Sequence, residues 1–162
     1  MFASIQSLQS SHPTALVGSH TIDVACPPHA FYDVIADYES YPDFVPAQRT
    51  AKVLSRRVDG YVEHLEVAMG LSVVKTIDMV LAVEGIPGHS MEWRMVQGNA
   101  LRGVAGAWLL EELPGGHTRA QLHQALALKA WLPKAIVRTL VNKTLPGTAR
   151  AFKREAERRH RA

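Results

Sequence analysis

Eight histidines and a single cysteine, Cys26, are the first residues to weigh for chemistry, and most of them fall in no pattern that chemistry requires. His123 is the exception, because Arg119, Gln121 and His123 recur at period two and so share one face of a strand. That face is either a pocket wall or the solvent side. Leu122 and Leu126 hold the opposite phase, which favours the solvent side for His123. If the chain does carry out proton transfer, Arg94, Arg119 and His123 are its acid–base candidates, and they serve only if they point inward. Asp37 and Asp43 could be a carboxylate pair, although helix-end and turn roles explain them more simply. No His-x-x-x-His or Cys-x-x-Cys spacing is present, so neither a metal nor another cofactor is expected. A Gly-x-Ser-x-Gly turn and a phosphate-cradling loop are absent too, and Cys26 has no activating partner beyond a helix start.

Composition sets the frame for these residues. A chain of 162 residues with 47% apolar and 20% charged side chains is sized and composed for one globular domain. One cysteine rules out an intrachain disulfide. No apolar run approaches membrane-spanning length and the first residues lack a signal-peptide pattern, so a cytoplasmic location is expected. The net charge of +3 is unevenly divided. From Lys129 onward ten Lys/Arg face only Glu155 and Glu157, a local +8, and the first 128 residues sum to −5. Such a segment suits an anionic membrane surface or RNA as partner, or is simply a solvated helix face.

Residues 1–13 are Ser/Gln-rich without an apolar period and are expected to be a flexible tail before a single domain over 14–160. Thr14 to Val24 alternates as a strand, and Cys26-Pro27-Pro28 ends it. Phe31, Val34, Ile35 and Tyr38 at helical spacing predict a short helix, with little more than one further turn before Pro46. Strands are expected over Thr50–Val58, Tyr61–Met69, Ser72–Glu84, Ser90–Gln97, Val104–Leu113 and Thr118–Leu128, separated by Asp59-Gly60, Gly70, 85–88, Gly98-Asn99 and 114–116. From Leu132 to about His160 the period becomes helical, and Pro146-Gly147 in its middle should kink or break that helix. The sum is an α+β fold: a curved antiparallel sheet of about seven strands wrapped on a long C-terminal helix, with two short helices after the first strand.

This order, together with Asp33-Val-Ile-Ala-Asp37-Tyr-Glu-Ser-Tyr41-Pro42-Asp43-Phe44-Val45-Pro46, Trp93–Gly98, Gly106-Ala-Trp108 and the final helix opening at Leu132-Pro133, resembles the START-like (SRPBCC) helix-grip superfamily. Within it the first motif is similar to the coenzyme Q-binding and polyketide cyclase/dehydrase-like family, which also contains ribosome-association toxins. The resemblance implies a START/Bet v 1-like fold and three possible functions. The first is binding or transport of a hydrophobic small molecule, a lipid, quinone or polyketide-like guest. The second is a polyketide aromatase/cyclase or dehydratase. The third is a ribosome-association protein that uses its basic last helix on RNA.

Residues expected to contact an apolar guest are Phe44 and Val45 at the lip, and Leu65, Val67, Met69, Met91, Trp93, Met95, Trp108, Leu122 and Leu126 on the sheet. Ile136, Leu140 and Leu145 join them from the helix. They are the large apolar groups on the phase that faces the covering helix, where a bent sheet leaves room its own side chains do not fill.

Overall fold

The computed structural model describes residues 2–72, 76–129 and 133–161. Seven strands make one antiparallel sheet: β1 (Leu16–Val24), β2 (Gln48–Asp59), β3 (Val62–Ser72), β4 (Thr76–Ile86), β5 (Ser90–Gly98), β6 (Leu101–Leu113) and β7 (His117–Leu128). Their spatial order is β1-β7-β6-β5-β4-β3-β2. Consecutive strands from β2 to β7 pair with one another, and Gly60, Gly88, Gly115 and Gly116 take the positive φ needed by the turns that contain them. Register shifts at Gln48/Thr50, Val53/Ser55, Val80/Leu81 and Leu101/Gly103 add residues to one strand of a pair, which bends the sheet.

Between β1 and β2 the chain crosses the concave side as α2 (Pro28–Ile35), a 3₁₀ turn (Tyr38–Ser40) and α3 (Tyr41–Phe44). Pro28 opens α2, where a missing N–H costs nothing, and Phe31, Val34 and Ile35 are almost fully buried, as their spacing predicts. A last helix closes the concavity: α4 (Lys134–Thr139), a π-helical stretch Leu140–Thr144 and α5 (Leu145–Arg161). Leu145, Ala149, Phe152 and Ala156 of α5 fall on one buried side against β1 and α2. This is the helix-grip arrangement of the START/Bet v 1-like fold.

Three details differ from the sequence reading. Residues 3–11 are not a frayed tail but helix α1 (Ala3–Ser11), which lies on the outer face of the sheet. There Gly103, Ala105 and Ala125 leave a shallow trough; Ile5, 2% exposed, packs on the two alanines and Leu8 sits over Gly103. Two apolar residues spaced i, i+3 are too few to show a period, so only the trough reveals the helix. The expected break at Pro146-Gly147 is instead the wider π turn just before it, which places Pro146 in the first turn of α5, where its ring and missing N–H are tolerated. Gly70 does not end β3 but lies inside it, paired with Thr50 and Asp78, and the Thr50 side chain occupies the space a Cβ would need. The helix start expected at Leu132 lies outside the described residues.

Polar contacts tie the layers together. Thr118, fully buried, donates its hydroxyl to the Cys26 carbonyl at 2.7 Å. Arg159 of α5 reaches Asp37 at 3.0 Å and Glu155 at 2.9 Å, which joins the long helix to the turn after α2. A hydrogen bond from Arg158, with Arg159 beside it, lowers the Glu155 carboxyl from 4.5 to about 2. A carboxyl more acidic in the folded than in the unfolded chain stabilises fully above pH 4.5, and that contribution is lost as pH falls toward 2. The unfolding midpoint of Glu155→Gln should therefore converge on the wild type's across that window; curves that stay parallel down to pH 2 would show the pairing contributes nothing.

The outer helix makes a second prediction. His123 lies under Phe2, ring centroids 5.2 Å apart, and burial lowers its pKa. In Ile5→Ser, which loosens α1, the NMR titration midpoint of His123 should rise toward the ordinary histidine value. An unchanged midpoint would mean that α1 does not shield it.

Candidate ligand-binding cavity

Inside the grip, between the concave face of the sheet, the α3–β2 turn and the start of α5, lies a cavity of about 190 Å³. Its walls come from alternate residues of adjacent strands. Leu122, Gln124 and Leu126 of β7 stand opposite Trp108, Gly106 and Val104 of β6 in register, so these positions share the inner face. Met79 and Leu81 extend the wall along β4, and Leu145, Thr148 and Phe152 close it from α5. Toward the solvent, exposed Pro46 and Ala47 form the rim with Gln48, Leu71, Ile77 and Thr144. Ala47 holds the left-handed backbone (φ 66°) and its carbonyl accepts from the Ser72 amide at 2.8 Å. A non-glycine residue in that region is strained by roughly 1 kcal/mol or more, and the strain sits at the mouth.

One wall is built around an absent side chain. The Trp93 indole lies against the backbone of Gly106, where any Cβ would collide with the ring and with Gln124 Oε1. From there Trp93 Nε1 donates to Gln124 Oε1 at 3.1 Å, which satisfies the indole N–H where Trp93 is only 9% exposed. At the other end of the cavity an aromatic cluster sets the spacing between helix and sheet. Phe152 meets Trp108 edge-on at 5.6 Å, Tyr41 at 4.9 Å and Phe44 at 5.3 Å, and Trp108 meets Phe31 at 5.2 Å.

The chemistry of the lining is uniform. No Asp, Glu, Lys, Arg or His contributes to it among the described residues. Its titratable groups are Tyr38 and Tyr41, and both hydroxyl protons are engaged, Tyr38 Oη with Met91 Sδ at 3.2 Å and Tyr41 Oη with the Ile35 carbonyl. Burial holds both phenols above the usual tyrosine range. Gln48, 7% exposed, donates Nε2 to the Thr50 carbonyl at 2.8 Å. Outside the cavity, burial and then Glu157 push the Cys26 thiol up to about 11, which leaves it un-ionised at neutral pH.

Of the residues expected at a guest, Val45, Met69, Trp93, Trp108, Leu122, Leu126 and Leu145 line this cavity. Phe44 does not: it packs between Tyr41 and Phe152 with the Arg159 guanidinium over its ring at 5.9 Å. Leu65, Val67 and Met91 are on the inner face but belong to the filled core, which occupies the space available to them. Met95 is partly buried against that core, next to Gly98. The side chains of Ile136 and Leu140 lie outside those described. Tyr38, Tyr41, Gln48, Gln124 and Phe152 line the cavity without having been expected to. Gln124 was within reach of sequence reasoning, since it falls at period two between Leu122 and Leu126; a polar residue on an apolar phase is a pocket signal.

The acid–base candidates lie elsewhere. Arg119 pairs with Asp23 on the exposed side at 2.9 Å, Arg94 is exposed, and His123 lies under Phe2 on the outer face, 3.3 Å from Gln121. Several of the C-terminal cations are engaged within the protein: Lys153 with the Asp23 carbonyl, Lys129 with the Asn99 carbonyl, and Arg158 and Arg159 with Glu155. Arg138, Lys143, Arg150, Arg154 and Arg161 remain exposed. No described helix is long and apolar enough to cross a membrane.

Comparison with known proteins gives one family and one fold. Residues 16–157 match the family described as polyketide cyclase / dehydrase and lipid transport. The Zhui aromatase/cyclase from Streptomyces sp. R1128 is similar in structure, with a TM-score of 0.78 at 19% identity over 91% of this chain and 97% of that one. A START superfamily protein from Mycobacterium smegmatis gives a TM-score of 0.75 at 21% identity, covering 88% and 97% of the two chains. An 18 kDa protein from Caulobacter crescentus gives 0.71 at 19% identity, over 91% and 99%. At these identities the structures share the fold alone. No curated protein sequence matches the chain.

The contact at Gly106 generates a prediction. Gly106→Ala forces the Trp93 ring off the strand, at a cost of roughly 1–3 kcal/mol of overpacking, and breaks its bond to Gln124. Tryptophan emission should change and the melting temperature fall; a variant with wild-type emission and stability would show that the ring does not depend on the missing Cβ.

Proposed function

Since the chain belongs to the polyketide cyclase / dehydrase and lipid transport family, whose match spans residues 16–157, we propose that it binds a neutral, largely apolar small molecule in its internal cavity and holds it without chemical change. The observation that carries the reading is the lining itself: about 190 Å³ of space, bounded mainly by apolar and aromatic groups, with no ionisable side chain other than two tyrosines among the described residues. An apolar cavity of about 150 Å³ is already large enough to accept a benzene-sized molecule. A charged guest would be disfavoured, because an ion moved from water into such a lining finds no counter-charge and its desolvation costs several kcal/mol.

Proton-transfer chemistry on a polyketide-like chain has less support. Arg94, Arg119 and His123 all lie away from the cavity, and both lining phenols are held in their neutral form by burial. The carrier reading needs none of these groups; it needs only volume, a mainly apolar wall and contact with solvent, and Pro46 and Ala47 are exposed residues of the lining.

Titration with the neutral fluorophore N-phenyl-1-naphthylamine tests the proposal. Saturable binding at one site per chain is expected, with a blue-shifted emission, and Val104→Phe, which fills part of the cavity, should weaken it at least tenfold while the protein stays folded. Absence of saturable binding, or equal binding by Val104→Phe, would overturn the reading.

A further inference from the structure

We propose that the cavity selects a carbonyl-bearing guest and that Gln124 is the residue that recognises the carbonyl oxygen. The inference rests on the cavity-binding reading and adds the polarity of the ligand to it. Its basis is the way the Trp93 indole fixes the orientation of the Gln124 amide.

An indole N–H donates and never accepts. Bonded to Trp93 Nε1 at 3.1 Å, the Gln124 side chain must present its carbonyl oxygen to the indole, so its NH₂ group points the other way. The reverse orientation would place two donors face to face. The Trp93 ring is itself held in place over Gly106, which leaves the amide little freedom to turn. Gln124 is thus a donor whose direction is set by its neighbour.

The space around that donor is also determined by the sheet register. Gln124 stands opposite Gly106 on β6 and Gly18 on β1, so both cross-strand neighbours on its own face lack side chains. Above and below it on β7 are Leu122 and Leu126, which accept nothing. Among the described residues, no side-chain N or O that is fully shut off from open space is without a partner. No acceptor for Gln124 Nε2 is found among the described residues, and the Gln124 side chain lines the cavity. Two N–H donors in a mainly apolar lining match a ligand that brings a lone pair and no proton: a ketone, quinone or ester oxygen on a hydrocarbon frame. A pure hydrocarbon leaves the donors unpaired, and unpaired buried donors are penalised.

The pair 1-tetralone and tetralin tests this, since the two share a bicyclic carbon frame and differ by one carbonyl. Dissociation constants for both are measured by calorimetry on the wild type, Gln124→Met and Gln124→Leu. Comparing the tetralone/tetralin ratio across proteins cancels the difference in hydration between the two probes. Both substitutions remove the donor, and neither replacement side chain can ionise or donate a proton. In both, the ratio should rise about tenfold against tetralone, with tetralin binding in the same variant certifying an intact cavity. A ratio that stays at the wild-type value in either variant that still binds tetralin overturns the assignment of Gln124. If neither probe binds the wild type, the cavity-binding reading itself falls, and this inference with it.

Discussion

The contact of Phe152 with Trp108, Tyr41 and Phe44 is the interaction on which the rest of the molecule depends. It joins three layers at one point: the C-terminal helix, the β6 strand and the short helix α3, with edge-to-face geometry at each step. Aromatic rings hold elements apart as firmly as they hold them together, because a ring cannot be compressed and its quadrupole favours the perpendicular approach. Toward the mouth from that cluster, the last helix offers Thr148 and Leu145 of α5 and Thr144 of the π-helical stretch, which do not bridge the remaining gap to the bent sheet. The cavity is the space that this separation leaves.

Strand β6 shows how one segment serves two surfaces. On the inner phase, Gly106 accepts the Trp93 ring; on the outer phase, Gly103 and Ala105 accept Leu8 and Ile5 of α1. Small residues in a strand interior weaken its pairing, since they have little to pack and lose more backbone freedom. Here each gap is filled from elsewhere in the chain, and burial of large side chains in the gaps offsets the loss. The result is a strand buried on both faces over residues 103–108, within a sheet whose edge strand β2 is largely exposed.

The electrostatic design follows the same division. Charged residues are kept outside, where Arg119 meets Asp23 and Arg159 links Asp37 to Glu155, and the lining is left to tyrosine, glutamine, threonine and apolar groups. Polar atoms that remain inside are bound to neighbours in ways that set their direction: Trp93 to Gln124, Gln48 to the Thr50 carbonyl, Tyr41 to the Ile35 carbonyl. An interior of this kind discriminates by shape and by the placement of single hydrogen bonds rather than by charge.

Much of the architecture was legible in the order of the residues. The strand alternation from Thr50 to Leu128, the Asp59-Gly60 turn, the Phe31/Val34/Ile35 helix and the change of period after Leu132 depend on neighbours two to four positions apart, and that is the range over which sequence patterns act. The phase of Trp93, Trp108, Leu122 and Leu126 was likewise legible, because side-chain direction in a strand is fixed by parity. Three things were decided by the tertiary structure alone. Helix α1 exists because distant Gly103, Ala105 and Ala125 form its trough. Phe44 and Met91 were drawn into the filled core and away from the cavity by contacts with Phe152 and Tyr38, residues far from them in the chain. The direction of the Gln124 amide is set by an indole thirty-one positions away. Local periodicity fixes which side of a strand a residue faces; whether that side is filled, open or paired depends on elements that meet only when the chain has folded.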